Sequence, residues 1–223
     1  MKRDPKLISH DEPSTAWNEA YRGIRTNIEY VKAVHDLRTL LVTSAIPEAG
    51  KSLTVANLAT VMAQSGSRTV VVDADLRRPA QHKIFRLPNL QGYTTVIAKG
   101  LNILSVLHKG PVDHLSVLTS GPLPPNPADL LESTTCVELL QTLRQHFDWV
   151  LVDAPPVLGL ADAAILGRQM DGVLYVIKSG FKSRRADQKA LQLLRQTGSR
   201  VIGVVLNQVK DLDRDLHAHY GKH

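Results

Sequence analysis

Thr43-Ser44-Ala45-Ile46-Pro47-Glu48-Ala49-Gly50-Lys51-Ser52 is the stretch on which the reading of this chain turns. It follows an apolar strand candidate, Leu40-Leu41-Val42, and runs into a helical pattern from Leu53 to Ala63. A strand, a turn ending in Gly-Lys-Ser and a helix together form the setting of a phosphate-binding loop. In such a loop successive backbone N–H groups wrap the phosphates, and the helix N-terminus adds partial positive charge. Lys51 is then placed to reach the terminal phosphates and the Ser52 hydroxyl to ligate Mg²⁺. The pattern G-x-x-x-x-G-K-[ST] asks for glycine where Ala45 stands. A strand–helix junction with a chance Gly-Lys-Ser has the same local sequence, so the rest of the chain must decide.

Two later strands carry carboxylates at their ends. Thr69-Val70-Val71-Val72-Asp73-Ala74-Asp75 and Trp149-Val150-Leu151-Val152-Asp153 each end an unbroken apolar run in an acid. Such runs mark strands buried on both faces, as in a parallel sheet, and open α/β sheets bind ligands at the carboxyl ends of their strands. Further strands are expected at 115–121, 171–177 and 200–207. Helices are expected at about 53–63, 162–170 and 183–197, and from Ala128 with a break near Thr134. Strands alternating with helices give an α/β fold: a P-loop NTPase with a doubly wound, mostly parallel sheet flanked by helices on both faces. Residues 80–115 are broken by Gly92, Gly100 and Gly110 into pieces with no clear period.

At the amino end, residues 1–15 are polar and aperiodic and read as a flexible lead-in. From Ala16 the spacing of Ala20, Ile24, Ile28 and Val31 predicts a helix. It carries Glu19, Arg22 and Arg25 three residues apart, a pattern that on spacing alone is a solvated face with weak internal pairs. One domain is expected over 16–209, followed by a mobile polar tail over 210–223.

With 27 basic and 21 acidic residues the chain has a formal charge of +6, which admits polyanionic partners. The basic residues are dispersed and aromatics make up only 4%, so dedicated nucleic-acid binding is not expected. The single cysteine, Cys136, can form no internal disulfide and has no nucleophile signature around it. No apolar run approaches the roughly 18 residues of a membrane span, and no signal peptide is visible.

Phosphoryl transfer needs a cation on the β/γ oxygens, carboxylates to hold it and a group to orient the nucleophile. Lys51, Ser52, Asp73, Asp75 and Asp153 supply that set along one sheet edge. In this arrangement the chain resembles the bacterial protein-tyrosine kinases, which use a P-loop fold. Thr43 to Ser52 is similar to their Walker A loop, although they usually read Pro-Gly-Glu-Gly-Lys-Ser where this chain has Pro47-Glu48-Ala49-Gly50-Lys51-Ser52. Val70 to Arg77 matches their Walker A′ pattern, three apolar residues followed by D-x-D-x-R, and Val150 to Pro156 matches their Walker B. Glu19-x-x-Arg22-x-x-Arg25 matches the motif through which that family's domains contact neighbours in a ring. The four motifs stand in the family's order between about Trp17 and Gln208.

The resemblance implies ATP- and Mg²⁺-dependent tyrosine autophosphorylation in the control of capsular or exopolysaccharide synthesis. It implies nucleotide contacts from Ala45, Ile46, Pro47, Glu48, Ala49, Gly50, Lys51, Ser52 and Leu53, with Asn207 at the adenine. It gives metal contacts to Ser52, Asp73 and Asp153, and a catalytic set of Lys51, Asp73, Asp75 and Asp153. Asp73 is the first choice for general base, with Asp75 the alternative. Family tails carry a tyrosine cluster; here Tyr220 is the one tail tyrosine and the expected acceptor. Expected partners are a membrane chain-length-determinant protein that activates the kinase, other copies of the chain in a ring, and a cognate tyrosine phosphatase. The expected location is the cytoplasm, at the inner face of the plasma membrane. Glu48 in place of glycine and the lone tail tyrosine motivate an alternative: a catalytically weak nucleotide-binding regulatory subunit of a polysaccharide export complex. A partitioning or cell-division ATPase fits less well, because Ile46 stands where those loops carry an extra lysine.

Overall fold

The computed structural model describes residues 7, 16–180 and 184–209. The expected lead-in (apart from Leu7) and the tail with Tyr220 lie outside the described residues. The described residues begin, in regular structure, with helix α1 (Ala16–Val34), strand β1 (Thr39–Ser44), helix α2 (Lys51–Gln64) and strand β2 (Thr69–Asp73). Short elements follow: α3 (Gln81–Ile84), α4 (Tyr93–Lys99), a 3-10 turn at Ile103–Val106, and β3 (His108–Lys109). Then come β4 (Leu115–Leu118), α5 (Pro127–Glu132), α6 (Thr134–His146), β5 (Trp149–Asp153) and α7 (Asp162–Gly167). The last elements are β6 (Gly172–Lys178), α8 (Arg184–Gln196) and β7 (Val201–Asn207).

The strands form one seven-stranded sheet in the order β3-β4-β2-β5-β1-β6-β7. Every pairing is parallel except β3 with β4. Every residue of β1, β2 and β5 is buried, which is why these strands read as continuous apolar runs rather than alternating ones. Successive residues feed opposite layers. Leu40 and Val42 pack with Tyr21 and Ile28 of α1 and with Val55, Leu58 and Met62 of α2. Leu41, Val70 and Val150 pack on the other face with Leu143 of α6, Leu166 of α7 and Leu194 of α8. Helices thus cover both faces, as the alternation of elements predicts. α2 is apolar nearly all round, with Thr54 through Ala63 buried, because it lies between the sheet and α1.

The expected break near Thr134 falls at Ser133, whose hydroxyl caps α6 by accepting from the Cys136 N–H at 3.2 Å. The consecutive strands β1 and β2 are separated in the sheet by β5, so the chain reverses its direction of travel across the sheet beside β1. That reversal opens a crevice at the carboxyl ends of β1, β2 and β5. No helix among the described residues is long and apolar enough to cross a membrane.

Candidate nucleotide and phosphoryl-transfer site

Residues 45–50 connect β1 to α2 as a tight turn, and its shape depends on two left-handed backbone positions. Gly50, immediately before α2, has φ +90°, and a Cβ there would run into the Asn207 carboxamide. Glu48 has φ 60°, a conformation that costs a residue with a Cβ about 1–2 kcal/mol. The glycine that the sequence comparison misses at 48 is therefore missed for a backbone reason. Ala45, by contrast, is buried in the core with its methyl accommodated. Asn207 Nδ2 donates to the Ala49 carbonyl at 2.9 Å and Gln208 Nε2 to the Glu48 carbonyl at 3.3 Å, so the end of β7 ties down the turn. Asn207, expected at the adenine, uses its donor on the loop itself.

Lys51 begins α2 and is almost wholly buried. Its Nζ donates to Asp75 Oδ2 at 2.8 Å and to Ser52 Oγ at 3.3 Å, and lies 3.6 Å from Asp153 Oδ1. The three motifs far apart in sequence therefore meet at one ammonium group. Asp73 and Asp153 stand directly opposite each other in the β2–β5 register, both fully buried. Asp73 Oδ2 accepts from the N–H groups of Ala80 and Gln81 at 3.0 and 2.8 Å. Asp75 Oδ1 accepts from the Arg78 N–H at 3.0 Å.

Gln81, which carries no motif signal, is also fully buried, and its Nε2 donates to Asp153 Oδ2 at 2.8 Å and to the Ser52 carbonyl at 3.0 Å. Sequence reasoning also missed Asp162, whose buried carboxylate takes a two-pronged contact from Arg77 (Nε–Oδ2 2.8 Å, Nη2–Oδ1 3.2 Å). No local spacing signals either residue: Gln81 sits in a stretch without period, and Asp162 is 85 residues from its partner.

The electrostatics are unbalanced. Asp73, Asp75 and Asp153 face the single ammonium of Lys51, a deficit of two positive charges when all three carboxyls are ionised. Burial pushes the Asp73 carboxyl well above its usual range, and the neighbouring Asp153 pushes it further. Burial also raises Asp153, with Lys51, Ser52 and Gln81 holding it down. Burial works against the Lys51 charge, but Asp153 and Asp75 outweigh it and keep the ammonium protonated.

Among the described residues, three side-chain oxygens at this site are buried without a hydrogen-bond partner: Asp73 Oδ1, Asp153 Oδ1 and Gln81 Oε1. An unsatisfied buried acceptor costs about 1–3 kcal/mol, so a cluster of them calls for a guest that supplies positive charge. Among the described residues, no three His, Cys, Asp or Glu side chains converge closely enough to cage an ion alone. Mg²⁺ suits that arrangement, because it keeps several waters and binds through one or two carboxylates plus substrate phosphates.

The site opens into a cleft of about 1010 Å³. Pro47, Glu48, Lys51, Asp75, Arg77, Arg78 and Lys83 are among the residues that line it. Asp73 lies behind this surface and does not line it. A second depression, of about 740 Å³ around Lys109 and His114, lies at the opposite sheet edge and includes none of the buried carboxylates. Cys136 does not line the cleft; it is fully buried, with its Sγ 2.7 Å from Tyr93 Oη, and burial pushes its thiol up, away from the reactive thiolate.

The Glu19/Arg22/Arg25 face of α1 is divided. Arg22 pairs with Glu19 at 2.8 Å in the open, whereas Arg25 turns inward, with Nη1 3.5 Å from the Val61 carbonyl of α2.

Residues 37–212 match a family model described as ParA: NUBPL iron-transfer P-loop NTPase. The chain is 40% identical to the tyrosine-protein kinase YwqD of Bacillus subtilis (strain 168), over 96% of this chain and 91% of that protein. It superposes on the crystal structure of the chimerical protein CapA2B2 with a TM-score of 0.86 and 37% identity, covering 91% of this chain and 89% of that one. The kinase domain of Escherichia coli tyrosine kinase ETK also gives a TM-score of 0.86, at 33% identity, with 92% and 82% covered.

Proposed function

The chain belongs to the ParA-type P-loop NTPases and, within them, to the bacterial tyrosine-protein kinases; from that membership we propose that it transfers the γ-phosphoryl group of ATP to tyrosine, in the control of capsular or exopolysaccharide synthesis. The observation that carries this reading is the meeting of Lys51, Asp75 and Asp153 behind a phosphate-binding turn, with Lys51 and Asp75 lining an open cleft. The acceptor is Tyr220 of a neighbouring copy.

The phosphates of ATP lie on backbone N–H groups of the turn after Pro47 and of the first residues of α2, at the helix's positive end. Lys51 exchanges its contact with Asp75 for the β- and γ-phosphate oxygens. Ser52, Asp73 and Asp153 hold Mg²⁺, which when bound neutralises the phosphate oxygens and offsets the two-charge deficit. The release of Asp75 from Lys51 frees Oδ2 at the cleft surface. There it accepts the phenolic proton as the tyrosine oxygen bonds to the γ-phosphorus and the bond to the β,γ-bridging oxygen breaks, giving ADP. Asp75 takes the base role in preference to Asp73 because Asp75 lines the cleft, while both hydrogen bonds accepted by Asp73 Oδ2 serve to fix the turn at Ala80 and Gln81. The protein works beneath the membrane through a chain-length-determinant partner. Its copies associate in a ring through Glu19 and Arg22, and a tyrosine phosphatase resets the tail.

The strained Glu48 favours a second reading, in which the chain is a nucleotide-dependent regulatory subunit with little phosphotransfer. Phosphosite mapping after incubation with ATP and Mg²⁺ separates the two. The kinase reading expects phosphate on Tyr220 in the wild type and none in Lys51→Ala; equal labelling of both proteins would sink it. Nucleotide-driven changes in oligomer size without phosphotyrosine would favour the regulatory subunit.

A further inference from the structure

Gln81 reaches all three nucleotide motifs from outside them. Its backbone N–H binds Asp73, and its Nε2 binds both Asp153 and the carbonyl of Ser52. The amide has one orientation open to it. Both hydrogens of Nε2 are used, on the Asp153 carboxyl and the Ser52 carbonyl; a carbonyl can only accept, so a flipped amide would set Oε1 against the Ser52 oxygen. The orientation leaves Oε1 buried without a hydrogen-bond partner, on the same residue that holds Asp153, whose own Oδ1 has only the 3.6 Å ion-pair contact with Lys51. A brace that donates through Nε2 brings Oε1 with it, so the amide leaves one buried acceptor available to a further donor.

We infer that Gln81 is a metal-positioning residue. Its Nε2 sets the Asp153 carboxylate, and its Oε1 gives a neutral acceptor to the water shell of the Mg²⁺ that accompanies the nucleotide. The inference rests on the reading of this site as a Mg²⁺–nucleotide site. Chemically it asks of Gln81 what outer-shell partners do at other metal sites: to orient a ligand and hold a coordinated water, at the cost of 10–100-fold in metal affinity when removed. A neutral amide suits the position. A further carboxylate would add to the charge deficit of the three aspartates, whereas an amide oxygen accepts from a bound water without adding charge.

Calorimetric titration of ADP in EDTA and in Mg²⁺ gives, for each protein, the factor by which Mg²⁺ tightens binding. That factor is an affinity ratio and does not depend on turnover. For Gln81→Met, which keeps the length and loses both polar atoms, the factor should fall at least tenfold below that of the wild type. For Gln81→Glu, which keeps an acceptor for the water shell but loses the Nε2 donor to Asp153, the factor should fall by less than tenfold while the ligand-free protein melts earlier; a fall of tenfold or more would overturn the water-shell role of Oε1. This second variant tests the proposal even if Gln81→Met does not fold. An unchanged factor in Gln81→Met, or equal weakening with and without Mg²⁺, would overturn the proposal and leave Gln81 a brace. A wild type with no Mg²⁺ effect at all would instead overturn the reading of the site on which the proposal rests.

Discussion

Asp73→Asn should make the ligand-free protein more stable at neutral pH while removing its phosphotransfer. Asp73 and Asp153 face each other on adjacent strands, fully buried, and neighbouring strands lie about 4.8 Å apart. At that separation, with an effective dielectric of about 20, two full charges repel by about 3 kcal/mol. Burial and Asp153 already push the Asp73 carboxyl well up, so proton uptake relieves part of that repulsion. A gain of about 1–2 kcal/mol at pH 8 therefore remains for the amide, which can still accept from Ala80 and Gln81 through its oxygen. The pH dependence has a definite sign. A carboxyl raised in the folded state binds more protons there than in the unfolded chain, so stability falls as pH rises from about 4 through the folded-state pKa. Asparagine has no such slope, so the difference between the proteins should vanish near pH 4 and grow toward pH 8. For a protein of this size, 1–2 kcal/mol is about 2–8 °C in Tm. Scanning calorimetry in EDTA at several pH values measures it. A variant that melts below the wild type at pH 8 would refute the charge-deficit account.

Three further outcomes follow from the geometry. Glu48→Gly should tighten ADP binding severalfold by relieving a left-handed position worth about 1–2 kcal/mol and removing a carboxylate from the phosphate mouth; unchanged affinity by calorimetry would mean that the loop works as it stands. Arg77→Ala should destabilise the fold by about 2–3 kcal/mol, a figure reduced for the partly exposed guanidinium, because it leaves the buried Asp162 carboxylate unpaired. Asp162→Asn should cost less, and adding it to Arg77→Ala should recover part of the loss in a urea melt. Asn207→Ala should weaken ADP binding about fivefold, corresponding to the loss of one hydrogen bond of about 1 kcal/mol that holds the Ala49 carbonyl; an unaltered Kd would remove Asn207 from the loop's support.

The sequence is most informative where the chain is buried on both sides. β1, β2 and β5 show themselves as apolar runs ending in acids because their every residue is inside, and their carboxyl ends are where the site forms. The turn chemistry is legible too: the missing glycine at 48 predicts a restricted backbone, and Glu48 indeed sits at φ 60°. What could not be read is made by contacts between distant parts of the chain. α4 is held by Tyr93 and Thr94 N–H groups donating to the carbonyls of Thr119 and Ser120, with Asn89 bridging Ser120 and Gly121. β3 is only two residues long and exists through its pairing with β4. Gln81 becomes part of the site because the chain returns to Asp73 eight residues later, which no periodicity announces. On α1, spacing places Arg25 beside Arg22, but packing against α2 draws it away toward Val61.

The central claim concerns where the γ-phosphate of ATP goes. With ATP labelled at that position, Mg²⁺ and the cytoplasmic segment of a membrane activator, label should appear on tyrosine of this chain faster than it appears as inorganic phosphate, and should vanish from protein in Tyr220→Phe. Rapid release of free phosphate with no labelled tyrosine would contradict the account and make the protein an ATPase.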